Sequence, residues 1–281
     1  MRWWILTVKD IASEKKPSPV YRSLTIFSHR CLGFGHKENS FHAFRAALDS
    51  NIGGIEIDIR LTKDHKWVVI HNPFFKSEEK SVLHIYEHTY NQIKREITLL
   101  DTMLAFFVTH SKNKQIMIDV KDVGETRQLV KLIKHYGIEQ QAIILAWEPE
   151  ILRRVHAFAP ELRLGLTYVP IHSSITYIKG ETSKPLSKHR IVMRFNAEQS
   201  FNAKFKHGVT HHHYLATLPE LPLYAIQVPA SWCSSKLVKL AHEKNMKVFP
   251  FGVKTRLGTL LLKRQGVDGI LTDYPMLFIK K

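Results

Sequence analysis

From residue 24 onward the chain repeats a pattern: a short apolar run, a polar turn, then a longer stretch with apolar positions three and four apart. The short runs predict strands over 24–28, 54–59, 67–71, 115–120, 142–146, 162–167, 223–228, 246–250 and 269–272. Between most of them the helical spacing predicts helices over 39–51, 98–110, 125–137, 148–158, 234–244 and 255–265. Strands alternating with helices favour a parallel sheet. About eight such units favour a closed (β/α)8 TIM barrel over an open doubly wound sheet. Two stretches interrupt the rhythm. Residues 72–97, after a strand-end histidine, form a short polar insertion with a weak helix at its end. Residues 171–216 form a basic, His-rich insert, with seven lysines and arginines against Glu181 and Glu198. No tandem repeat or Gly/Ser linker divides the chain. The expected organisation is a leader over 1–22, ending in Lys15-Lys16-Pro17-Ser18-Pro19, and one barrel domain over 23–281.

Composition narrows the class. With 44 % hydrophobic and 23 % charged residues, disorder and low-complexity readings are excluded. Two cysteines, Cys31 and Cys233, are too few for a disulfide framework or a thiolate zinc site. No apolar run approaches the roughly 18–20 residues of a membrane span, and residues Met1 to Asp10 make a poor signal peptide. A cytoplasmic location follows as the expectation, with peripheral contact at an anionic membrane left open. Charge adds the one unusual feature: Lys+Arg 41 against Asp+Glu 25, a formal net charge of +16, beside 17 histidines. Such a balance suits nucleic acid, an anionic membrane or a phosphorylated small molecule, and says nothing about fold.

The chemistry concentrates at strand ends. In Gly54-Ile55-Glu56-Ile57-Asp58-Ile59-Arg60 the period-two alternation puts the isoleucines on one face and Glu56, Asp58 and Arg60 on the other. On an exposed edge strand that pattern is ordinary. On a strand buried on both faces, two carboxylates at i and i+2 repel and need a cation, and a hard divalent metal such as Mg²⁺ or Ca²⁺ suits them. A second strand, Gln115 to Lys121, places Asp119 and Lys121 opposite its branched apolar residues. Lys121 there either pairs with Asp119 or meets a phosphate oxygen. Two more runs end in histidine, His29 and His71, a pairing that suggests a general acid and base. Arg30 offers a planar fork for phosphate. The run His211-His212-His213 falls in the irregular insert and is read as a solvated loop.

Taken in order, His29-Arg30, Glu38-Asn39-Ser40 opening a helix with Ala43-Phe44, Glu56-x-Asp58, Thr62-x-Asp64, Val69-x-His71, Ile97 to Leu100 and Gly266 to Pro275 resemble the glycerophosphodiester phosphodiesterase family. The resemblance runs from about residue 24 to 276, nearly the whole chain. It implies a TIM barrel with a divalent-metal site at its C-terminal face. Glu56, Asp58 and Asp119 would be the metal ligands, His29 and His71 the acid/base pair, and Arg30 and Lys121 the phosphate ligands. Glu38, and Phe251 in the late aromatic motif, would support them. The chain departs from the family pattern at Cys31 (usually Gly), Asn72 (usually Asp), Asp119 (usually Glu) and Phe251-Gly252-Val253-Lys254 (usually Trp-Thr-Val-Asn). The insertion after His71 is shorter than in many relatives, so a reduced lid is expected.

The expected activity is metal-dependent hydrolysis of a small-molecule glycerophosphodiester to glycerol 3-phosphate and an alcohol, a phosphoric diester hydrolase. A phospholipase D-type activity on lysophospholipids is the close alternative. A non-catalytic binder of nucleic acid or anionic surfaces is the alternative from another class; no nucleic-acid motif or stacking pattern supports it. The oligomeric state is not readable.

Overall fold

Eight strands run parallel around a central axis in the computed structural model, which describes residues 24–79, 81–167 and 221–278. The elements in chain order are β1 (Thr25–Ser28), α1 (Phe41–Asp49), β2 (Gly54–Leu61), β3 (Trp67–Val69), β4 (Phe74–Lys76), β5 (Val82–His84), α2 (Tyr90–Ile93) and α3 (Leu100–His110). They continue with β6 (Gln115–Val120), α4 (Thr126–His135), β7 (Ala142–Ala146), α5 (Pro149–Phe158) and β8 (Arg163–Thr167). The last are β9 (Leu223–Pro229), α6 (Ser235–Glu243), β10 (Lys247–Phe251), α7 (Arg256–Gln265) and β11 (Gly269–Thr272). The parallel order is β10-β9-β8-β7-β6-β2-β1-β11. Its two ends meet: Asp268 N–H donates to Val248 O at 3.1 Å, and Val248 N–H donates to the Asp268 carboxylate at 2.9 Å. The sheet is thus a nearly closed (β/α)8 barrel.

The alternation read from the sequence is the alternation that packs it. Ile55, Ile57 and Ile59 face outward into the core shared with Phe44 and Ala47 of α1 and Met103, Leu104 and Phe107 of α3. Helix starts are capped as their sequences dictate: Ser40, Ser234 and Thr255 accept hydrogen bonds from Ala43, Leu237 and Gly258 N–H. Each such cap stabilises by about 1 kcal/mol. Inside the barrel a separate cluster fills the lower half: Phe27, Met117, Ile143, Leu145, Ala225, Phe249 and Leu271. Phe27 and Phe249 meet edge to face, ring centroids 5.5 Å apart. Gly54 and Gly165 make room for this cluster. A Cβ at Gly54 would lie 2.3 Å from the Phe27 ring, and one at Gly165 2.5 Å from Leu145.

The run 67–71 departs from the expected parallel strand. β3 pairs antiparallel with the extended end of β2, Ile59 opposite Val69 and Leu61 opposite Trp67. The reason is local. Parallel pairing needs a crossover of a dozen or more residues, whereas 62–66 close a tight turn in which Thr62 N–H donates to Lys66 O and the Thr62 hydroxyl donates to Asp64. The Thr62-x-Asp64 motif is therefore turn chemistry. Residues 72–97, expected as a polar connection, contain the β4–β5 hairpin and contribute Phe75, Ile85, Ile93 and Ile97 to a small apolar cluster with Val68 of β3. The leader over 1–22 and the basic insert over 171–216, with the His211–His213 run, lie outside the described residues.

Candidate active site

The inward faces of β1, β2, β6 and β11 change character as they rise toward the C-terminal mouth. On β2, Gly54 gives way to Glu56, Asp58 and Arg60; on β6, Met117 gives way to Asp119 and Lys121. Glu56, Asp58, Arg60 and Asp119 are all buried. β2 and β6 pair in register with Asp58 opposite Asp119, so the two strand patterns deliver their carboxylates to one place. Oxygens of Glu56, Asp58 and Asp119 lie within 4.8 Å of one another.

Positive groups surround them. Lys121 Nζ lies 2.8 Å from Asp58 Oδ1 and 2.5 Å from Asp119 Oδ2, and sits 5.3 Å from the centroid of the Trp147 ring. Arg30 follows His29 in a 3-10 turn after β1, with φ of 52°. Its N–H donates to Glu56 Oε2 at 2.7 Å, its Nε is 3.5 Å from Asp58 Oδ2, and its Nη1 is 3.2 Å from Glu38. Cys31, where the resembling family has glycine, has φ of 58°, in the left-handed region that glycine adopts without steric cost. Its buried thiol donates to Glu56 O.

The histidines arrive by different routes. His29 follows β1 directly, with Nδ1 2.6 Å from Asp273 Oδ1 and Nε2 4.0 Å from Glu56 Oε2. His71 follows β3 and is carried in by the antiparallel hairpin, whose Ile70 N–H donates to Asp58 O at 2.9 Å. Its Nδ1 lies 2.9 Å from Asn72 Oδ1. An amide oxygen only accepts, so Nδ1 carries the proton and Nε2 is the basic nitrogen. Phe251, at the end of β10, is partly buried against the apolar cluster inside the barrel.

Four further residues shape the site without having been expected as members. Asp273 holds His29. Asn39 donates to Asp58 Oδ2 at 2.9 Å and accepts from Asp58 N–H at 3.2 Å. Arg60 donates from Nε to His71 O at 2.7 Å and from Nη1 to Asp122 at 3.0 Å, fixing the segment that bears His71. Asn39 and Asp273 lie inside segments that carried the resemblance. Arg60 shares the face of Glu56 and Asp58. Asp122 gave no sequence signal, because its register against Arg60 depends on the β2–β6 pairing.

Electrostatics separates the two histidines. Burial lowers His29, but the Asp273 hydrogen bond and the Glu56 charge outweigh it, so its pKa is raised. Burial, reinforced by Lys121 and Arg30, pushes His71 down to about 3 despite the attraction of Asp58. Burial and the neighbouring Asp58 push Glu56 up to about 7. Burial also raises Asp119, against Lys121. At Asp58 burial opposes ionisation but Lys121, His71 and Arg30 overcome it, and the carboxyl is held below the usual range. Lys121 is held above its ordinary value: burial lowers it, and Asp119 and Asp58 more than compensate. The donor set fits a hard cation. Asp119 Oδ1 is buried without a hydrogen-bond donor, and the raised Glu56 and Asp119 show carboxylates short of positive charge.

A barrel of this topology with buried acid–base groups and fixed cations converging at its C-terminal mouth defines a TIM-barrel enzyme, built to receive an anionic substrate. The sequence profile of the glycerophosphoryl diester phosphodiesterase family matches residues 29–277, and the chain belongs to that family. Membership supports the phosphoric diester hydrolase expected from the sequence and argues against the non-catalytic alternative. A glycerophosphodiester phosphodiesterase of Bacillus altitudinis is 24 % identical over 270 residues, covering 89 % of this chain and 94 % of its own. Among solved structures, a glycerophosphodiester phosphodiesterase of Thermotoga maritima superposes with TM-score 0.64 at 19 % identity, covering 92 % of this chain and 98 % of the other. A phosphodiesterase of Oleispira antarctica in complex with the product sn-glycerol-3-phosphate superposes with TM-score 0.62 at 16 % identity, covering 89 % and 93 %.

Proposed function

We propose that the chain hydrolyses glycerophosphodiesters to glycerol 3-phosphate and an alcohol, with His29 as general acid and His71 as general base. The observation that carries this reading is the pair of histidines with opposed pKa directions beside three clustered carboxylates. Groups whose environments push their pKa values apart are the signature of an acid and a base.

The substrate carries its own nucleophile, the glycerol 2-hydroxyl, tethered next to phosphorus, and such intramolecular attack has a high effective molarity. His71 Nε2 takes the hydroxyl proton as the oxygen bonds to phosphorus. His29, protonated and oriented by Asp273, gives its Nε2 proton to the departing alkoxide as the P–O bond to the alcohol breaks. A cyclic 1,2-phosphate results. Water then opens it with the histidines exchanging roles, which restores both protonation states. Arg30 and Lys121 face charge on the phosphoryl oxygens, while Glu38 steadies the Arg30 guanidinium. Glu56, Asp58 and Asp119 would hold a divalent cation, Mg²⁺ or Ca²⁺, which when bound makes the hydroxyl more acidic and offsets developing negative charge.

The test is turnover on glycerophosphocholine, lysophosphatidylcholine and a 2-deoxyglycerol diester, each with and without chelator. The proposal expects metal-dependent glycerol 3-phosphate release from the first and none from the third. Hydrolysis of the 2-deoxy compound at an equal rate replaces the cyclic route with direct attack by water. A preference for the second favours the phospholipase D-type activity. Among the described residues no helix is long and apolar enough to cross a membrane. The cytoplasmic location expected from the sequence is carried forward as part of this proposal, with peripheral membrane contact left open as in the sequence reading.

A further inference from the structure

Ten large apolar side chains are exposed among the described residues, and seven of them fall between Trp232 and Leu277, so they are not scattered around the surface. Six form one region at the β10–β11 side of the barrel. Leu257, Leu260 and Leu261 of α7 are spaced i, i+3, i+4 and share its outer face, with Leu257 66 % and Leu260 56 % exposed. Thr259 and Leu262, on the other side, face the barrel. The start of α7 is tied to the 3-10 turn Pro275–Leu277 by Arg256 Nε donating to Leu277 O at 2.8 Å. That turn exposes Met276 and Leu277, and Tyr274 before it is half exposed. Tyr274 directly follows Asp273, the partner of His29. The apolar region therefore runs from the flank of the barrel to the rim of the catalytic mouth.

Its charge is one-signed. Residues 251–267 contain Lys254, Arg256, Lys263 and Arg264 and no acidic residue. The nearby acids are engaged, Asp268 with His242, Asp273 with His29, and Glu243 of α6, which lies beside Gln265 and Gly266, with Lys239 at 4.0 Å. An exposed apolar stripe rimmed by cations on a short helix is the pattern of a membrane-surface contact. A second copy of this chain would set these cations against their own kind. The segments outside the described residues are no better matched, since 1–23 and 168–220 are each net basic.

We propose that α7 and the 274–277 turn dock the protein on an anionic lipid surface, with the mouth of the barrel at the interface. Leu257, Leu260 and Leu261 enter the headgroup region, and the four cations meet lipid phosphates, each contributing about fivefold in partitioning. This docking stands on fold and surface alone, so it and the proposed reaction fail independently.

The experiment is flotation of the full chain with vesicles of phosphatidylcholine alone and with about one-third phosphatidylglycerol. The variants are L257S/L260S/L261S, which leaves net charge unchanged, K254Q/R264Q, and V108S/F158S as a control for apolar loss elsewhere. The wild type and control should bind the anionic vesicles, and the leucine variant should bind about tenfold or more weakly. K254Q/R264Q should bind more weakly at low salt and resemble wild type at about 0.5 M. Turnover of soluble glycerophosphocholine should be equal in the wild type, the leucine variant and the control. Absence of wild-type binding, or equal binding by the leucine variant, overturns the proposal. So does wild-type self-association in sedimentation that the leucine variant abolishes, which would make a second copy the occupant. A lowered Tm of the leucine variant with no vesicle binding would assign the surface to a segment of the chain itself.

Discussion

The lower and upper halves of the barrel interior are built on the same strands and the same inward face, yet they hold opposite chemistry. Below, Phe27, Met117, Phe249 and Leu271 pack without a polar atom among their side chains other than the methionine sulfur. Two residues further along the same strands stand His29, Asp119, Phe251 and Asp273. Burial favours the lower set directly, by about 1.5–3 kcal/mol for each large side chain. Of the charged groups there, Glu56, Asp58 and Asp119 are buried and His29 and Asp273 partly buried against their own solvation preference, so each charge must find a partner: Arg30 for Glu56 and Asp58, Lys121 for Asp58 and Asp119, Asp273 for His29. The lower half can be altered at the cost of stability, whereas the upper half can be altered at the cost of chemistry.

The largest expected effect breaks the upper half alone. Glu56→Gln or Asp58→Asn should lower kcat/KM by about 10³-fold or more, with exhaustive chelation of the wild type doing the same. Because Glu56 and Asp58 repel each other when no cation is bound, Glu56→Gln should leave the Tm of the metal-free protein no lower than wild type. A large fall in Tm would show the acidic cluster to be structural. The converse substitution, Phe27→Ala, should cost about 3–5 kcal/mol in denaturant unfolding, while the protein that remains folded keeps most of its kcat.

Smaller effects sharpen the contrast within the upper half. Asp273→Asn removes the main contribution that raises His29. The acid must be protonated to act, so activity is lost as pH rises through its pKa. The alkaline limb of the kcat/KM profile should move to lower pH in the variant, with about a tenfold loss at its alkaline side. An unmoved limb would remove His29 from the acid role. Asn72→Asp restores the usual family residue beside His71. A carboxylate there should raise His71 from its low value and move the acidic limb of the profile upward, with only a few-fold change at neutral pH. No movement of that limb would mean that His71 is not the base.

Much of this molecule follows from periodicity alone. Ile55, Ile57 and Ile59 against Glu56, Asp58 and Arg60 could only alternate, so the sequence itself determined that the carboxylates share a face and that the strands alternate with helices in a barrel. The ligand candidates on β2 and β6, and the two histidines at run ends, were legible for the same reason. The tertiary structure decided what depends on registers between distant segments. Asp58 lies opposite Asp119 because β2 pairs β6 in that register. Asp273 reaches His29 across 244 positions of chain, and Asp122 reaches Arg60 across 62. It also decided that β3 turns back on β2 instead of joining the barrel, which brings His71 in from the side. Local alternation fixes which way a side chain points. Which side chain it meets is set by the summed packing of the whole barrel, and no single segment encodes that sum.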